Sequence, residues 1–394
     1  MDCGADQNLA RGAGRNAESG ALLQEGAASF RPGPGFFQPA SRPARDLGVL
    51  LARFLARSRP LRVLDLMAGC GLRSVRYGLE ARALSLLVND ADPSRLSLLH
   101  ENLAVLEGAC LLKPTAQGAL RLLADALLKG ERYDLVDLDA FGSPQALIPL
   151  ALETVALDGV LYLASSDGRG STGHDRPAGL RHFGASVRCH PASWELALRL
   201  QLGVIARTAW TQGRGVMPVF SFSDGRTFRT AVFLRRHPTT NEERALGLLA
   251  VCHHCGDQQV QSMASLTAWK DCLCPSQTFA ISGPLWVGPL QDVPTLDAMA
   301  LEAQATPISL SREGARLLGR LRRDRGFPAR CWPNALIGRE LKSPQPPLQA
   351  LVLGLQQQGY QAWASGVMPG QLRSDAPWRT ILSLARELGG EAAR

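Results

Sequence analysis

Nowhere does an uninterrupted apolar run approach the roughly 20 residues that a membrane-spanning helix needs, and the opening MDCGADQNLARGAGRN lacks the apolar core of a secretory signal. Asp2, Asp6, Glu18 and Glu25 make the same segment too acidic for a transit peptide, so the expected location is cytoplasmic, with no membrane as partner. No internal repeat is visible. The nine cysteines are odd in number and mostly isolated, which argues against a disulfide framework in a cytosolic chain. The seven histidines fall into no catalytic pattern, and His174, His182 and His190 read as ordinary polar residues.

The 394 residues are 45% hydrophobic and 20% charged, enough to bury a full core and long enough for two domains. Forty-three Lys and Arg against 35 Asp and Glu leave a formal charge of +8. That balance favours polyanionic partners, although a merely solvated basic surface has the same composition.

The first 45 residues, rich in Gly, Ala and Pro, read as an extension laid over a domain. From Asp46, taken as a helix N-cap, apolar periodicity begins: a helix over DLGVLLARFLARS, a strand LRVLDL, then helices and strands in alternation through SLLVND, YDLVDLD and VLYLASSD. Such alternation predicts an α/β doubly wound parallel sheet of Rossmann type. The last two strands, MPVFSFS and TFRTAVFLRR, flank Asp224-Gly225, a hairpin signal, so the sheet should end in an antiparallel pair. That ending is common in methyltransferase sheets and unusual in dehydrogenases. After His237-Pro238 the character changes, which places a sheet domain over 46–237 and a smaller α+β domain over 238–394.

Asp65-Leu66-Met67-Ala68-Gly69-Cys70-Gly71 closes the first strand and opens a helix. Gly69 and Gly71 allow close backbone approach to a ligand, and the helix supplies unpaired N–H groups. The second strand ends in Asp90, where a carboxylate can take both ribose hydroxyls. A third glycine is missing, since position 74 is Ser, which tells against NAD and a dehydrogenase. S-adenosylmethionine needs no pyrophosphate cradle, and Arg73 suits its amino-acid end. Asp92-Pro93 reads as helix capping.

A further strand ends in Asp139-Ala140-Phe141-Gly142, at the sheet edge where such folds bind ligands. An amino nitrogen conjugated to a base is a poor nucleophile. A carboxylate and a carbonyl that accept both its hydrogens draw it toward tetrahedral geometry, which assigns those roles to Asp139 and Ala140, with Phe141 stacking on the base. The alternative is that Asp139 only caps a helix starting at Ser143.

In LLQEGAASF, FFQPASRPARDLGV, LDLMAGCGLRSVRYGLE, VNDADPSRLSLLHENL, YDLVDLDAFGSP, AGLRHFGA, GPLWVGPL and GYQAWASGVMPGQLRSDAP, taken in order, the chain resembles the tRNA (guanine-N2)-dimethyltransferases that act at tRNA position 26. The resemblance implies that Arg45, Arg73 and Asp90 contact S-adenosylmethionine, that Thr115 and Ala116 lie against its adenine, that Asp139 is catalytic and that the partner is tRNA, with no obligate protein partner. The chain departs from the pattern at Ala44, Ala140 and Thr115, where the family usually has Asn, Pro and an acid. Two alternatives therefore stand beside it: an N2-guanine methyltransferase of another RNA or tRNA position, and a catalytically weakened RNA-binding homologue.

Cys252 and Cys255 precede Cys272 and Cys274 by a spacing close to that of structural zinc sites, although the second pair is C-x-C. His253 or His254 is a candidate substitute ligand, and four unligated thiols or a site that has lost its metal are the competing readings. The arginines of ARLLGRLRRDRGFPAR suit phosphate contacts, or a solvated helix face.

Overall fold

The computed structural model describes residues 21–34, 37–272, 274 and 278–391. A short hairpin of β1 (Leu23–Glu25) and β2 (Ala28–Phe30) leads into α1 (Arg42–Ala56). Then β3 (Arg62–Asp65), α2 (Leu72–Ala81), β4 (Ser85–Asn89), α3 (Leu96–Leu103), β5 (Leu111–Thr115), α4 (Ala119–Leu128), β6 (Tyr133–Asp139), α5 (Ile148–Thr154) and β7 (Val155–Ser165) alternate, with β5 and α4 additional to the elements that the sequence predicts. Helices α6 (Gly168–Ser171), α7 (Arg176–Phe183) and α8 (Ser193–Thr211) precede β8 (Gly215–Ser223) and β9 (Phe228–Arg235).

Seven of these strands form one sheet in the order β5-β4-β3-β6-β7-β9-β8. β3 to β7 run parallel, and β9 lies antiparallel to β7 and β8, so the doubly wound sheet with a terminal antiparallel hairpin is the observed fold. The hairpin turn forms where Asp224 accepts the amides of Arg226 and Thr227 at 3.0 and 2.8 Å, an Asx turn that spends the carboxylate on its own backbone.

Two local readings need correction. The first helix begins at Arg42, with Pro43 in its first turn, and not at Asp46. Asp46 is fully buried, where it accepts Arg76 at 2.7 Å and the amide of Ser311 at 2.8 Å. Helix α5 begins at Ile148, so Asp139 caps nothing there.

The remaining chain forms a sheet of β10 (Leu246–Val251), β11 (Gln258–Ser262) and β12 (Ala280–Trp286), then α9 (Val293–Ala305) and α10 (Arg312–Leu321). A last module follows, built from β13 (Cys331–Pro333), α11 (Asn334–Leu341), α12 (Leu348–Gln357), β14 (Ala362–Ala364), β15 (Gln371–Ser374) and α13 (Trp378–Glu391). α9 and α10 fold back on α1, and Leu296, Met299, Leu317, Leu318 and Leu321 share one core with Leu47, Leu50 and Leu51.

Two buried arginines fasten the parts. Arg76 bonds Glu25, Asp46, Glu80 and the Ser309 carbonyl, joining the N-terminal hairpin, α1, α2 and the segment before α10. Arg373 on β15 bonds Glu195 of α8 at 2.6 Å and Asp324 at 2.8 Å, with all three side chains almost wholly buried. Burial alone would push the Glu195 carboxyl up, but Arg373 and Arg199 outweigh it and hold it at about 2.

Candidate active site

At the carboxyl edge of β3, β4 and β6 lies a cavity of about 540 Å³, within the range of small-molecule sites. One wall is the turn after β3: Ala68, Gly69 and Cys70 line it, and Gly69 and Gly71 hold φ of +59° and +80°. Left-handed backbone at both positions explains why glycine stands there. Gly71 is the residue before α2, and the first two residues of that helix, Leu72 and Arg73, also line the cavity. Asp90 supports the turn by accepting the Gly69 amide at 2.9 Å and the Asp92 amide at 3.0 Å. Asp92 does cap the short helical turn at Pro93, through the Ser94 amide.

The sequence-expected residues do not all meet in the cavity. Arg45, Ala68, Gly69, Arg73, Asp90, Asp139, Ala140 and Phe141 line it; Asp65, Gly71, Thr115 and Ala116 do not. Arg45 is engaged by Glu25 through Nε and Nη2, at 2.8 and 2.5 Å, and donates Nη1 to the Gln38 carbonyl while lying over the Phe37 ring. Thr115 donates to Asn89 Oδ1 at 2.9 Å. Asn89, which the motif reading passed over, also bonds the Leu66 and Gln117 carbonyls and so ties the ends of β3, β4 and β5 together. Ala44 presents a buried methyl group, and its carbonyl accepts the Tyr162 hydroxyl at 2.8 Å.

Under the cavity floor lies a ladder of charge. Strand pairing puts Asp65 beside Asp137 and Asp137 beside Tyr162, and one step along, Asp139 beside Ala164 and Ala164 beside Arg229. Residues two apart on a strand share a face, so all of these project to the side covered by α2. Arg73 of α2 reaches down to Asp137 at 3.2 Å and Asp139 at 2.8 Å, and Arg229 of β9 contacts both Asp139 oxygens at 3.1 Å.

The surroundings push Asp139 one way and the other two carboxylates the other. Burial pushes Asp139 up, but Arg229 and Arg73 outweigh that and hold it at about 2. Burial and the neighbouring Asp137 push Asp65 up to about 7, against a bond from Ser74 Oγ at 2.7 Å. Asp137 is raised by burial, against the pull of Arg73. Asp139 is thus an ionised carboxylate at the mouth, with 28% of its side chain exposed.

Beside Asp139, Ala140 is buried and Phe141 is 78% exposed. Gly142 (φ +76°) fixes this loop: its amide donates to Ser166 Oγ at 2.7 Å, and its carbonyl accepts from the Ser166 amide and Ser165 Oγ. The tip of the β8–β9 hairpin, with Arg226 and Thr227, forms the far rim.

A family model described as N2,N2-dimethylguanosine tRNA methyltransferase matches residues 23–386. The chain belongs to this family. Proteins named tRNA (guanine(26)-N(2))-dimethyltransferase align along most of it: that of Methanosphaerula palustris is 29% identical over 88% of this chain and 90% of its own. The one from Pyrobaculum neutrophilum is 30% identical over 69% of this chain and 72% of its own. The solved complex of Trm1 from Pyrococcus horikoshii with S-adenosyl-L-methionine superposes with a TM-score of 0.80, at 24% identity, over 92% of this chain and 99% of that one, and shares its fold.

In this family member the four clustered cysteines also meet. The sulfurs of Cys252, Cys255, Cys272 and Cys274 all lie within 4.8 Å of one another, with separations of 3.2, 3.3 and 3.5 Å for three of the pairs. A tetrahedral zinc with Zn–S bonds of about 2.3 Å requires sulfurs about 3.8 Å apart, so the donor set fits. The C-x-C pair contributes two of the four sulfurs, and His253 and His254 are exposed outside the group. Stacked Trp332 and Trp378 hold the knuckle by donating to the Gly256 and Cys255 carbonyls at 2.8 and 2.6 Å.

Proposed function

We propose that the protein transfers one and then a second methyl group from S-adenosylmethionine to N2 of the guanine at position 26 of tRNA. The observation that carries this reading is the pairing of an ionised Asp139 with exposed Phe141 in the same cavity as the glycine turn and Asp90, in a chain of this family. No helix among the described residues is long and apolar enough to cross a membrane. The substrate tRNA places the protein in the cytoplasm in this reading.

The cofactor side fits the cavity. Each Asp90 oxygen takes one backbone amide and keeps a lone pair for a ribose hydroxyl, and α2 offers free N–H groups to a carboxylate. S-adenosylmethionine, when bound, supplies an electrophilic methyl group on a sulfonium. Phe141 stacks on the guanine withdrawn from its helix, and Asp139 Oδ1, which has one arginine partner, accepts an amino hydrogen while the Ala140 carbonyl accepts the other. The S–CH₃ bond breaks with its electron pair on sulfur as the N2–CH₃ bond forms. The methylated amino group then loses a proton to solvent at the mouth. The methylated amino group is acidic enough to lose its proton to water without a dedicated base, so the role assigned to Asp139 is orientation.

Residues 238–394 dock the tRNA in this account. On α10, Arg312 and Arg316 stand on the exposed side, followed by Arg323, in position for phosphates, whereas Arg322 is spent on Asp297 at 2.6 Å. The four cysteines hold a structural zinc that pins the β10–β11 turn to the connection before β12.

The test is nucleoside mass spectrometry after incubating the protein with S-adenosylmethionine and unmodified tRNA carrying guanine or adenine at position 26. N2-methylated guanosine only with guanine at 26 supports the reading. Equal product from both tRNAs moves the reaction to another guanine, and no product from either overturns it.

A further inference from the structure

The sequence offers Arg229 as one more basic residue in a β-strand, yet it is 2% exposed and lies against the cavity beside Asp139. Burying a guanidinium costs several kcal/mol unless strong partners offset it, so an arginine there needs a reason. Its partner is the carboxylate of Asp139, reached from two strands away, a span of about 9–10 Å between backbones. Ala164 occupies the register position between them and is small enough for the arginine to pass over.

We propose that Arg229 is a positioning residue for the methyl transfer: it fixes the plane of the Asp139 carboxylate and keeps it ionised. This rests on the reaction proposed above. One Nη2 bridges both oxygens at 3.1 Å, and Arg73 holds Oδ2 from the α2 side, so the carboxylate is gripped by two cations from two elements and cannot rotate without breaking a contact. The grip leaves Oδ1 the less occupied oxygen, and that is the atom free to take an amino hydrogen. Ionisation needs the same help. Asp139 shares its face of the sheet with Asp137 and Asp65, both raised by burial, and without a second arginine it joins them. A protonated Asp139 would present an O–H donor to an amino group that is itself a donor, and the contact that orients N2 would turn repulsive.

Arg229 also lines the cavity, and among the described residues its buried Nε has no hydrogen-bond partner, so the side chain leaves one donor unused while its terminal nitrogen sits on Asp139.

Two substitutions separate charge from geometry. Arg229→Met removes both, and Arg229→Lys keeps the charge but loses the planar guanidinium. Methylation rates of these variants and the wild type are measured between pH 4.5 and 8, with S-adenosylmethionine affinity and thermal melting as controls for folding. In Arg229→Met, kcat falls by on the order of 100-fold with KM for tRNA nearly unchanged, and an acid limb appears as the Asp139 pKa moves up by about 1–3 units. In Arg229→Lys, kcat is reduced and no new acid limb appears. A kcat within about twofold of wild type in Arg229→Met overturns the proposal, as does an equal loss in both variants with the pH profile unchanged. Absence of methylation by the wild type itself contradicts the reaction reading, and this proposal with it.

Discussion

Asp65 and Asp139 sit on the same buried face of the sheet, yet their folded-state pKa values differ by several units, and the difference follows from who their neighbours are. Asp139 has two arginines; Asp65 has a serine hydroxyl and a neighbouring acid. The linkage to stability has opposite signs. Asp139, lowered from 3.8 to about 2, contributes stability at and above the ordinary carboxylate range and loses it as the pH falls toward 2. Asp65, raised from 3.8 to about 7, is most favourable when protonated, so its contribution is full below 3.8 and fades as the pH rises through 7. Asp65→Asn keeps an acceptor for Ser74 and never ionises. It should therefore melt higher than the wild type at pH 8, by on the order of 2–4 kcal/mol of unfolding free energy, with the gain shrinking toward pH 5. A gain that does not vary with pH would mean that Asp65 is already ionised in the folded protein.

At the scale of elements, the four-cysteine knuckle is the clearest dependency in the proposed account. Four cysteine sulfurs from a tight turn and a long connection converge, and little regular structure holds the second pair in place. Removing the metal with a strong chelator, or substituting Cys272→Ser, should lower the melting temperature and expose the segment between β11 and β12 to protease, while S-adenosylmethionine affinity stays within a few-fold. Unchanged melting and protease resistance after chelation would show that the thiols pack without a metal. The cysteine spacing announced this element, and the glycine turn and the aspartate ending β6 announced the cavity, because each is a local pattern that a strand–turn–helix unit must carry. β5 was not legible: LLKPT contains Pro114 and alternates only weakly, as an edge strand can. The place of Asp46 was misjudged for a related reason. A short acid before an apolar run looks like a cap, and the arginine that claims it lies 30 residues away on α2. Arg229 was invisible in the same sense, since its meaning depends on a register across three strands.

Across the whole molecule, the two buried arginine hubs do what no sequence window discloses. Arg373 locks the last module to α8 by way of Glu195 and Asp324, and Arg76 locks the N-terminal hairpin and the segment before α10 to α2. Removing one partner strands the others, so Arg373→Ala should destabilise the protein by roughly 3–5 kcal/mol, read as a drop in the midpoint of denaturant unfolding. Little change there would show that water reaches the pair and replaces the arginine. The folding back of α9 and α10 onto α1 joins the second half of the chain to the sheet domain through the helix that carries Arg45 to the cavity. In the proposed account this is how a surface that grips tRNA is held in fixed relation to the chemistry.

The central claim is that the Asp139 carboxylate orients the guanine amino group for methyl transfer. Its most direct test compares the wild type with Asp139→Ala, using S-adenosylmethionine and unmodified tRNA, with product quantified as N2-methylated guanosine by mass spectrometry and cofactor affinity measured in parallel. The account predicts that product from the variant falls by at least about 100-fold while cofactor affinity changes only a few-fold. An Asp139→Ala protein that methylates tRNA at close to the wild-type rate would contradict it.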